Sequence, residues 1–130
     1  YARWSLVCGR SSLGFPGGRS QQLWQRPDQG GAPVYAYLFT YGNSYHTAEI
    51  PYVFNNLGAD VTAEQQALAD QISMVWINFA RNGVPSADGL PEWEPYTRES
   101  GATMILDTQS ELVYHHDQAL MELLAPDYTY

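Results

Sequence analysis

The residues best placed to do chemistry lie in the stretch NSYHTAEIPYVF, residues 43–54, where His46 is followed three positions later by Glu49. Three chemistries suit a histidine there. An imidazole has an unperturbed pKa near 6.5, so it can take up and return a proton around neutral pH as a general base and acid. His46 and Glu49 can also share one face of a helix as metal ligands. The pair falls short of the three or four protein ligands a metal site needs, so neither a metal nor any other cofactor is expected. The third option is a histidine that packs or faces solvent. A second group, His115-His116-Asp117, consists of adjacent residues rather than residues spaced along one face, which predicts surface placement. The segment GFPGGRS, residues 14–20, has the look of a phosphate loop. The first glycine of that motif would fall at Leu13 and Arg19 stands in place of the lysine, so nucleotide binding is not expected.

Composition narrows the classes further. The 130 residues are 45% hydrophobic, 14% aromatic and 15% charged, a globular balance that fits one small domain or a piece of a larger one. The net charge of −8 argues against nucleic acid, whose phosphates call for a basic surface. All six basic residues are arginine, which excludes a Schiff-base or phosphate-loop lysine. Cys8 is the single cysteine, so an internal disulfide framework and a cysteine-rich zinc site are both excluded. No run approaches the roughly 18 to 20 apolar residues of a membrane span.

Several elements must position His46. Residues 33–41, PVYAYLFTY, form a β-branched and aromatic run bounded by Gly30-Gly31 and Gly42, which predicts a strand. It is apolar on both faces, as a central strand of a covered, mainly parallel sheet should be. Gly42, Asn43 and Ser44 then make a loop, with His46 in or just beyond it. AEIPYVFNNLG reads as a short helix or turn, with Pro51 tolerable only near its first turn. Thr62 and Gln65 make a capping box for the next helix. Leu68, Ile72, Val75, Trp76 and Phe79 recur along one face of it, and Asn82-Gly83 stops it. PEWEPYTRESG reads as loop, ATMILD as a strand and DQALMELL as a final helix. Residues 1–30 show no period of 2 or 3.6 and read as loop-like. With only two clear strands, where a stable sheet usually needs at least three, the chain is expected to be part of a larger domain.

YHTAEIPYVFNNL, followed by QISMVWINFARNGVPS and WEPYTRESGATMILD, resembles the C-terminal portion of type B carboxylesterases, the family of the cholinesterases and para-nitrobenzyl esterases. The resemblance runs over residues 31–107 and rests on several separated motifs in the right order. Three departures stand out. Thr47 follows the histidine where glycine is common, an extra residue separates Trp93 from Pro95, and residues 1–30 match poorly.

The resemblance implies an α/β fold: residues 31–130 as the C-terminal part of an α/β-hydrolase domain, an incomplete sheet flanked by helices. In that fold the triad runs serine, acid, histidine along the chain. It implies His46 as the catalytic base and Glu49 as a supporting residue that holds local polar geometry rather than as the triad acid. No Gly-x-Ser-x-Gly occurs in these residues, so the nucleophile and the acid are expected upstream. The implied substrate is a small carboxylic ester, and the implied partner is the missing N-terminal part of the same enzyme. The rival expectation is a non-catalytic interaction module, or an inert truncated product, on the same scaffold.

Overall fold

The computed structural model describes residues 5–8, 33–116 and 118–124. In chain order these form β1 (Ser5–Cys8), β2 (Val34–Phe39), α1 (Ile50–Val53), α2 (Ala63–Asn82), β3 (Ala102–Leu106), β4 (Glu111–Tyr114) and α3 (Gln118–Leu124). The four strands make one sheet in the order β1-β2-β3-β4. β1 pairs parallel to β2, with Ser5 opposite Val34 and Cys8 opposite Tyr37. The backbone N–H of Thr40 donates to the carbonyl of Leu106 at 3.1 Å, which sets the C-terminal ends of β2 and β3 side by side and makes them parallel. Only four residues separate β3 from β4, a connection short enough for an antiparallel hairpin alone. The sheet is therefore mixed.

By internal contact the chain divides into two units. One comprises residues 1–38, 94–104 and 112–130, the other residues 39–93 and 105–111. In the first, the start of β2 is held by the Tyr96 N–H, which donates to the carbonyl of Val34 at 2.7 Å. The hairpin pairing continues past β4, where His115 N–H donates to Gly101 O at 3.3 Å. Thr103 is buried, and its hydroxyl is satisfied by the Gly101 carbonyl at 3.2 Å.

The second unit is organised by α2. Its capping box is complete: Gln65 N–H donates to Thr62 Oγ1 at 3.2 Å, and Thr62 N–H to Gln65 Oε1 at 2.9 Å. Glu64 in the first turn and Arg81 in the last both suit the helix dipole. The buried face is Leu68, Ala69, Ile72 and Val75, where each large side chain contributes about 1.5–3 kcal/mol by leaving water. Trp76 and Phe79, expected on the same seam, lie half-buried at its margin. Gly83 ends the helix with φ 76°, a left-handed conformation natural to glycine, and its N–H caps Phe79 O at 2.8 Å.

All six residues of β2 are buried, as its two apolar faces required. Two strands were not legible in the sequence. β1 falls in the stretch read as loop-like, and β4 is a four-residue strand with no fully buried side chain.

Candidate active site

The site is a loop that leaves the C-terminal end of β2 and enters α1. Parallel α/β sheets offer functional loops at this end of their strands. The strand end is tied down first. Thr40 Oγ1 donates to Asp107 Oδ2 at 2.6 Å, while Asp107 Oδ1 accepts from Thr108 N–H at 2.7 Å, so one carboxylate joins the end of β2 to the turn after β3.

The chain then reverses direction through left-handed backbone at Gly42 (φ 64°), Ser44 (φ 40°) and Thr47 (φ 73°). Ser44 Oγ donates to the carbonyl of Tyr41 at 3.3 Å. Ala48 N–H reaches Tyr45 O at 2.9 Å and Ile50 N–H reaches Thr47 O at 3.1 Å, which makes consecutive turns around His46. The Thr47 hydroxyl donates to the His46 carbonyl. A β-branched residue at φ 73° is uncommon and strained. The same angle supplies a physical reason for the glycine common at this position: glycine adopts it without cost.

His46 is exposed at the tip of these turns. Glu49 acts through its backbone. It is the N-cap of α1, and its carbonyl accepts from Tyr52 N–H and Val53 N–H, each at 3.0 Å, while its side chain makes no capping bond. Pro51 lies in the first turn of α1, where its missing N–H costs no helical bond. The structure therefore puts His46 and Glu49 on neighbouring turns without a hydrogen bond between their side chains. Among the described residues, no group of three or more His, Cys, Asp or Glu side chains is arranged to hold a metal ion.

Aromatic side chains hold both ends of the loop. Tyr52 of α1 is buried, its ring centroid 5.1 Å from that of Phe39 at the end of β2 and 5.9 Å from that of Tyr41, edge-on. Such tilted and edge contacts add about 0.5–1.5 kcal/mol each beyond area burial. Tyr45 and Phe54 contrast with Tyr52, being 70% and 75% exposed, and do not anchor the loop. The Tyr41 hydroxyl donates to Glu64 Oε1 at 3.2 Å. Desolvation, and then the bond to Glu64 and its charge, raise the Tyr41 phenol above its ordinary value of 10.0. Desolvation raises Tyr52 as well, outweighing the lowering influence of the nearby Gln65 amide. Both phenols thus stay protonated through the physiological range, and the Tyr41 donor bond is lost only as pH rises through the raised value.

The carboxylesterase family profile matches residues 6–122 of this chain. The chain belongs to the carboxylesterase family. The match is wider than residues 31–107, where the motifs lie. Relatives include the para-nitrobenzyl esterase of Bacillus subtilis (strain 168), 35% identical over 100 residues, which cover 66% of this chain and 20% of that protein. The acylcarnitine hydrolase of Rattus norvegicus is 35% identical over 94 residues, covering 60% of this chain and 17% of that protein. A solved para-nitrobenzyl esterase structure superposes with TM-score 0.66 at 31% identity, covering 72% of this chain and 21% of its own. The carboxylesterase of Geobacillus stearothermophilus gives TM-score 0.61 at 32% identity, over 68% of this chain and 21% of its own. The fold is that of an α/β-hydrolase, and the chain spans about a fifth of the length of the curated relatives it matches.

The sequence singled out His46 but not the residues that brace the ends of its loop. Thr40, Asp107, Tyr41, Tyr52 and Glu64 carry no motif, because their pairing depends on how strand, loop and helix close on one another. The one local signal was the capping box, which places Glu64 in the first turn of α2.

Proposed function

We propose that this chain is the C-terminal part of a serine carboxylesterase and supplies its general base, His46. The observation that carries the reading is where His46 stands: exposed, at the tip of a braced loop at the C-terminal end of a buried parallel strand, inside the residues that match the family. The upstream part of the same enzyme supplies the serine, the acid and the groups that stabilise the oxyanion. In the first step the serine hydroxyl gives its proton to His46 as its oxygen bonds to the ester carbonyl carbon. His46 then returns the proton to the departing alcohol, leaving an acyl-enzyme. Water repeats the sequence and frees the acid. Glu49 contributes by fixing the backbone turn that carries the loop into α1. The substrate class is a small carboxylic ester.

The test uses the full-length protein. His46→Ala is expected to lower ester hydrolysis by about 10⁴-fold or more while leaving the melting temperature unchanged, since an exposed side chain carries little packing. Hydrolysis in His46→Ala equal to that of the parent would overturn the reading. A parent protein that neither hydrolyses esters nor reacts with a fluorophosphonate would place the chain in a non-catalytic member of the family.

A further inference from the structure

The chain is tied to the start of one helix on both sides of the His46 loop. Tyr41, before the loop, donates to Glu64 Oε1 at 3.2 Å, and Tyr52, after it, packs edge-on against the Tyr41 ring with centroids 5.9 Å apart. Glu64 and Gln65 are consecutive residues of the first turn of α2, and that turn is itself closed by the reciprocal Thr62–Gln65 bonds. A second hydrogen-bonded tie follows α1, where Asn55, in left-handed backbone at φ 50°, donates to Asp70 Oδ1 at 2.8 Å and accepts from Gln66 Nε2 at 2.8 Å. The first two turns of α2 thus receive the chain on both sides of His46, while the exposed loop tip makes only local backbone turns.

Resting on the assignment of His46 as the base, we propose that the first turn of α2 is a positioning clamp: Glu64 through Tyr41, with Tyr52 packed on the Tyr41 ring, sets where the His46 imidazole stands. These three are positioning residues, acting on the reaction through the backbone that carries the base. A base displaced by a fraction of an ångström to an ångström loses about ten- to a hundredfold in rate, because proton transfer requires hydrogen-bond distance to the serine.

The test uses conservative variants of the full-length enzyme that keep the aromatic rings packed. Tyr41→Phe and Glu64→Ala each are expected to lower kcat about tenfold with KM within about twofold, and their combination is expected to be no worse than either alone, since both break one bond. Glu64→Gln, which still offers an oxygen to Tyr41, is expected to restore most of the rate. Gln71→Ala removes a bond from the same helix to Asp88 O (3.1 Å) away from the loop, and is expected to leave kcat unchanged. A second readout does not depend on turnover: the ring signal of His46 in protein labelled at histidine Cε1, expected to shift or broaden in Tyr41→Phe and in Glu64→Ala but not in Gln71→Ala. A His46 signal identical to the parent's in both clamp variants overturns the clamp, whatever the rates. Should His46→Ala leave hydrolysis intact, the functional assignment falls, and the ring signal still decides whether the clamp exists.

Discussion

Two histidines in this chain stand at left-handed turns, and their surroundings are opposite. His46 sits beside Thr47 at φ 73°, exposed at a loop tip. His115 itself adopts φ 49° at the end of β4, and its ring folds back on Gly101 with Nε2 2.9 Å from the carbonyl of Glu99. A Cβ placed on Gly101 would lie 2.7 Å from His115 Nδ1 and 2.9 Å from its backbone nitrogen, so the ring occupies the space that only a glycine leaves open. One imidazole is spent on closing a hairpin; the other is exposed on a loop whose ends are fixed by their neighbours. The difference teaches that exposing a side chain at a defined place takes structure on either side of it, whereas packing one takes a single fitted neighbour.

The contrast can be broken deliberately. The largest effect is the loss of hydrolysis expected from His46→Ala, against which His115→Ala should retain parental kcat per folded molecule. Next in size, Gly101→Ala is expected to lower stability by about 3 kcal/mol in chemical denaturation, combining the left-handed backbone penalty with displacement of the His115 ring. Activity of the folded fraction should be unaffected, and unchanged stability would mean that His115 does not pack on that glycine. His115→Ala should lower stability by about 1–2 kcal/mol, the cost of losing one bond to a backbone carbonyl. The smallest change goes the other way. Thr47→Gly removes a strained β-branched residue and is expected to be neutral or stabilising by about 1 kcal/mol in the same assay, with hydrolysis maintained.

Much of this architecture could be read before the structure was in hand, for local reasons. β2 announced itself through six consecutive apolar or aromatic residues, and α2 through its capping box, its apolar face and Gly83. β1 and β4 did not, since SLVC and ELVY are four residues each, too short for a period to show, and exist as strands because a neighbour pairs with them. The surface placement read for His115 and His116 holds for His116, which is exposed, whereas His115 is half-buried. What tucks it in is Gly101, fourteen positions earlier and adjacent only once the hairpin has closed. The motif around residue 46 pointed to the histidine proposed as the base. The three residues proposed to hold it were not legible, because Tyr41 and Glu64 are 23 positions apart and neither is unusual in its own surroundings.

The aromatic contacts of Tyr52 with Phe39 and Tyr41 have a consequence for how such a chain can change over time. They close residues 42–51 into a ring whose anchoring points belong to the strand and the helix. The entropy of closing a ring grows only with the logarithm of its length, so doubling the enclosed segment costs about 0.6 kcal/mol. Insertions between Tyr41 and Tyr52 can therefore raise, lower or tilt the histidine relative to the sheet while the core of β2 and α2 stays as it is. Loop length becomes a nearly free variable, and the reach of the histidine can be tuned by it.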